Sequence, residues 1–96
     1  IHELEYANKV KENIKIDEFV SKKQNLSVTL QNHITIQNRV QTAKRNEPSA
    51  LRVEARVAFL KMMLSLLNAI DDIVELLVFE QTLNAYLMYE SIPTDL

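Results

Sequence analysis

The chain has 96 residues, 11 lysines and arginines against 13 aspartates and glutamates, and a net charge of −2. That is room for one small domain, with neither a polybasic nucleic-acid arm nor an acidic disordered tail. Apolar residues make up 47%, an ordinary globular share, while cysteine and glycine are absent; this excludes disulfide scaffolds, thiolate chemistry, zinc fingers, phosphate-cradling loops, dinucleotide fingerprints and the nucleophile elbow.

The chain opens at Ile1 rather than methionine, and its first long apolar run starts near Val57. No signal peptide is visible, and a processed product or a part of something larger is expected. Proline is the only strong punctuation left. Pro48, within Asn46-Glu47-Pro48-Ser49, reads as a helix start in which Asn46 caps and proline fills the first turn, where its missing N–H is harmless. Pro93 follows Ser91-Ile92 and closes whatever precedes it. A single helical domain of residues 1–96 is expected, with arms of about 1–45 and 48–91 and a turn at 46–49.

In the first arm Ile16, Phe19, Leu26, Leu30 and Val40 hold heptad-like positions, widened by Val20 and Ile34 and broken by Lys23, His33 and Gln37. Leu26–Leu30 and Ile34–Ile36 also alternate with period two and are rich in β-branched residues, which suits strands. Helix is the preferred reading. A short β-hairpin over 26–36, turning at Gln31-Asn32-His33, is the alternative.

The second arm reads as helix. Val53, Val57, Leu60, Leu64, Leu67, Val74 and Val78 follow a 4,3 spacing interrupted by Asp71, and Phe59, Met63, Leu66, Ile70, Ile73 and Leu77 form a second seam beside it. Lys61, Ser65, Asn68, Asp72 and Glu75 make one narrow polar stripe. The apolar face is wider than the roughly 100° of a surface helix, so this arm must be enclosed on several sides.

Two all-α architectures follow. One is a hairpin of two long helices, each about 65 Å long, that assembles into a larger bundle or coiled coil. The other breaks the arms near Ser21–Asn25 and Asn68–Asp72 into a compact four-helix bundle. Without glycine or proline at those breaks, long helices are favoured.

Charge is divided along the chain. All 11 basic residues lie within 1–61, with 7 acidic ones, whereas 62–96 holds Asp71, Asp72, Glu75, Glu80, Glu90 and Asp95 and no base. The acidic end is expected beside the basic arm of the same chain or of a neighbour, an orientation cue screened beyond about 8 Å in physiological salt.

Chemistry-bearing constellations are few. Glu75 shares a helix face with Asp72 at i,i+3 and with Asp71 at i,i+4, yet no Glu-x-x-His pair exists to complete a bundle metal site. His33 is the one internal histidine, a candidate register-fixing or pH-sensing residue. No serine has a base at a diagnostic spacing. No catalytic, cofactor or metal residue is therefore assigned, and the chain is not expected to be an enzyme. Arg39, Lys44, Arg45, Arg52 and Arg56 flank the central turn, but Glu47 and Glu54 dilute them and no aromatic residue interleaves, which disfavours a nucleic-acid partner. The apolar window Val57–Phe79 contains Lys61, Asp71, Asp72 and Glu75, and at about 2.5–3.5 kcal/mol for each central charge a simple transmembrane anchor is excluded.

The expected function is assembly: a non-enzymatic, structural interaction module acting by helix packing. Its interaction residues would be Phe59, Met63, Leu64, Leu66, Leu67, Ile70, Ile73, Val74 and Leu77, with Tyr86 and Tyr89 at the aromatic C-terminal end. The partner would be a second copy or a larger protein. Alternatives are a membrane-acting helical hairpin and a small regulator that binds a nucleoprotein through the basic turn. The string LSLLNAID at Leu64–Asp71 resembles a stretch in the long periplasmic helices of TolC-type outer-membrane efflux channels, in which strands alternating like Leu26–Leu30 also precede long helices. That resemblance spans only these residues, without the family's glycines and alanine-rich helices, and implies a channel fragment as one form of the membrane alternative.

Overall fold

A computed structural model describes residues 2–90. Three α-helices make up the fold, α1 (His2–Ala43), α2 (Ala50–Ala69) and α3 (Ile73–Glu90). Pro93 and Asp95 lie outside the described residues, as does the expected closure after Ser91-Ile92. α1 packs chiefly along α2 and more sparingly along α3. Lys23 of α1 reaches the backbone at the end of α2, so these two helices are antiparallel. α3 then turns back along α1, with Glu80 beside Lys22 and Glu90 in a cavity shared with Gln37.

The all-α expectation holds, and each arm takes a different form. The first arm is one unbroken helix through Ser21–Asn25. The second breaks at residues 70–72, within the expected stretch. No β-hairpin forms over 26–36, which is helical throughout. Burial explains why: alternation would place Leu26, Val28 and Leu30 together, but Leu26 and Leu30 are buried while Val28 and Ile36 stay 43% and 52% exposed. An i,i+4 pair against α2 outweighs a weak local strand preference. The threonine hydroxyls are accommodated too, since Thr29 Oγ1 donates to the Asn25 carbonyl and Thr35 Oγ1 to that of Gln31.

The turn differs from the expected one. α2 begins at Ala50, two residues beyond Pro48, so Asn46 is not its cap. Residues 44–49 close as successive tight turns, with the Glu47 N–H donating to the Lys44 carbonyl and the Ala50 N–H to that of Glu47.

The core joins Leu26 and Leu30 of α1, Leu60, Met63 and Leu67 of α2, and Leu76, Phe79 and Leu83 of α3. On α2 the buried residues are Val53, Val57, Leu60, Met63 and Leu67, nearly the first seam read from the sequence. On α3 that seam fails. Val74 and Val78 were expected to extend it, but they are 63% and 58% exposed, and Leu76, Phe79 and Leu83 face inward instead. The break at 70–72 resets the helical phase, so spacing counted across it no longer marks one face.

The molecule is elongated. Its principal extents are 68 × 26 × 15 Å. Its radius of gyration is 18.5 Å, against about 12.5 Å for a compact chain of this length. Its surface of 7624 Å² exceeds by about 2,000 Å² that of a compact monomer of this mass. The cause is visible in α1: every described side chain from Leu4 to Glu18 is exposed.

Candidate functional site

Two features of the second arm bear on function: the α2–α3 break, and the faces that the break leaves uncovered. The break is held from both sides without glycine or proline. Ile70 leaves the helix with an extended backbone (φ −74°, ψ 127°), its N–H still donating to the Leu67 carbonyl at 3.1 Å. Lys23 Nζ donates to the carbonyls of Ile70 (2.7 Å) and Asn68 (3.1 Å), a cation at the negative end of α2. The same ammonium stands 5.8 Å from the centre of the Phe19 ring. On the other side Asp72 Oδ1 accepts the Val74 N–H at 2.8 Å, and Glu75 adds negative charge in the first turn of α3.

Asp72 and Glu75 therefore start α3 and do not continue the polar stripe of Lys61, Ser65 and Asn68 on α2. The Asp72-x-x-Glu75 spacing ahead of an apolar run is a helix-entry signature that the sequence did contain. Lys23 was legible only as a break in the α1 seam, because its partners lie 45 and 47 residues away.

Beside the break lies an apolar groove of about 490 Å³, lined by Leu66, Ala69, Ile70, Val74, Glu75, Val78 and Phe79. The residues expected to interact divide between core and surface. Met63 and Leu67 are buried in the core, and Phe59, Leu64, Ile70 and Tyr86 pack partly against it. Leu66, Ile73, Val74, Leu77 and Tyr89 are exposed. The structure thus brings Leu66, Ile70 and Val74 together on one open face and sets Tyr89 apart from it.

At the opposite end of α3, a cavity of about 190 Å³ is lined by His33, Gln37, Arg56, Leu60, Tyr86, Leu87 and Glu90. The Tyr86 ring packs on Phe59 at 4.4 Å between centroids. Burial, followed by a hydrogen bond to Glu90 and that carboxylate's charge, pushes the Tyr86 phenol up to about 12, with Arg56 opposing. Arg56 Nε lies 2.7 Å from Glu90 Oε2, near enough for charge pairing but with its N–H poorly directed for a hydrogen bond. Lys22 pairs with Glu80 at 2.9 Å. Both ion pairs join the basic part of the chain to its acidic end, as the charge division suggested. Arg56 is drawn away from the basic turn, leaving Arg39, Arg45 and Arg52 exposed there.

Among the described residues no group of three or more histidine, aspartate or glutamate side chains is placed to hold a metal ion. No helix among them is long and apolar enough to cross a membrane. The chain matches no protein-family model, no curated protein and no solved structure.

Proposed function

We propose that this chain is a helical assembly module, non-enzymatic and structural, which associates through the uncovered face of α2 and α3. The observation that carries the reading is the apolar groove at Leu66, Ile70, Val74 and Val78, on a molecule whose surface exceeds that of a compact monomer. Covering apolar area contributes about 25 cal/mol for each Å² removed from water, and a contiguous exposed apolar face is a common mark of an interaction site. The cavity around Gln37 is smaller and of mixed lining, with Leu60, Tyr86 and Leu87 beside His33, Gln37, Arg56 and Glu90.

Solution mass tests this reading. Light scattering after size exclusion should give a discrete multiple of 11.1 kDa as concentration rises. Val74→Asp combined with Val78→Asp should lower that mass without loss of helicity, because both side chains are exposed within the single chain. A monomer at every concentration would remove the basis for the proposal.

A further inference from the structure

Resting on the assembly reading, we infer that the groove is filled by the N-terminal extension of α1 from a second copy, each copy giving its extension and receiving the other's. The extension is built for such use. From Lys23, level with the end of α2, back to His2, α1 runs about 31 Å, a little more than the roughly 27 Å of α3. Along it Tyr6 and Val10 are exposed, as are Ile16 and Val20, and each pair is four apart, on one helix face. On the seam of Phe19 the preceding turn carries Ile16 and Lys15, both exposed, as is Asn8 two turns further back. The extension therefore cannot lengthen its own bundle and offers its apolar residues elsewhere.

Reciprocal exchange fixes the direction. Turning one copy end for end about a two-fold axis near Ile16–Val20 lays each extension along the other's α2–α3 edge. Lys9, Lys11 and Lys15 of one chain, interspersed with Glu5, Glu12 and Asp17, then stand level with Asp71, Asp72 and Glu75 of the other. Among the described residues neither these lysines nor Asp71, Asp72 and Glu75 have an ion pair within their own chain. Ile16 of each chain then meets Val20 of the other, as the reciprocal contacts of a two-fold interface require. The area is sufficient as well. If each copy hid only half of its excess surface, the pair would bury about 2,000 Å², at the border between standard and obligate interfaces.

The test uses the whole chain and two double variants, Val10→Asp with Ile16→Asp on the extension and Val74→Asp with Val78→Asp in the groove. Light scattering should give twice 11.1 kDa for the parent and the monomer mass for each variant alone, with helicity by circular dichroism retained. An equimolar mixture of the two variants should regain dimer, because one intact extension then meets one intact groove. A parent dimer that the extension variant leaves dimeric overturns the insertion and leaves the assembly reading standing. Failure of the mixture to dimerise, or a parent of three or more copies, also overturns the insertion. A parent that stays monomeric overturns both.

Discussion

The two halves of α1 are one helix under opposite conditions. From Phe19 onward its inner face packs on α2 and α3 and buries Leu26 and Leu30. From Leu4 to Glu18 every described side chain of the same helix is exposed. Local preference sustains that half only weakly, since most helical stability in proteins comes from tertiary packing of one face. Tertiary burial fixes the packed half, so it should open only with the whole fold, whereas the extension depends on whatever covers it.

Truncating the inner face tests that contrast most strongly. Leu30→Ala removes a fully buried side chain and should cost about 3 kcal/mol, a fall of more than about 10 °C in Tm for a domain of this size. Val10→Ala, measured at concentrations too low for association, should stay within about 0.5 kcal/mol of the parent. Equal losses at the two positions would mean that the extension folds against its own chain after all.

The packed half also carries a pH signature, through the end of α3 that lies on it. The Tyr86 phenol is held up at about 12, against about 10 in an unfolded chain. Below pH 10 it is protonated in both states and its contribution is complete. Between pH 10 and 12 the unfolded chain ionises first while the folded one keeps its proton, so stability falls as pH rises. Chemical denaturation at pH 9.5 and 11.5 should show a steeper alkaline loss in the parent than in Tyr86→Phe. Comparing the two chains cancels the lysines, which titrate in the same range. Parallel losses would show that Tyr86 is not sequestered against Phe59 and Glu90.

These contrasts indicate how much could be read from the residues alone. The 4,3 spacing of Val53, Val57, Leu60 and Leu67 marked the buried face of α2 because one unbroken helix keeps one phase. Leu26 and Leu30 fitted both a helix and a strand, and only the neighbouring α2 decided between them. Val74 and Val78 looked like core because spacing was counted through residues 70–72, where the backbone leaves the helix. That break was invisible to a search for glycine and proline, since its support is a lysine on another helix and an aspartate side chain. Of the expected interaction residues, periodicity could identify which were apolar. It could not separate Met63 and Leu67, which the fold consumes, from Leu66 and Val74, which it leaves open.

The smallest effect lies at the boundary between the two halves, which the break sets. Past the end of α2, α3 covers α1 as far as Phe19, and Asp72 starts α3 by accepting the Val74 N–H. Asp72→Ala should cost about 1 kcal/mol and speed hydrogen exchange at Val74 and Glu75 before it affects the core amides of α2. Asp72→Asn is the sharper comparison. Asparagine caps about as well as aspartate but lacks the charge, whose interaction with the helix dipole is worth about 0.3–1 kcal/mol. If alanine destabilises and asparagine does not, the hydrogen bond sets the boundary. An equal loss in both would assign it to charge, and that part should then fade in high salt.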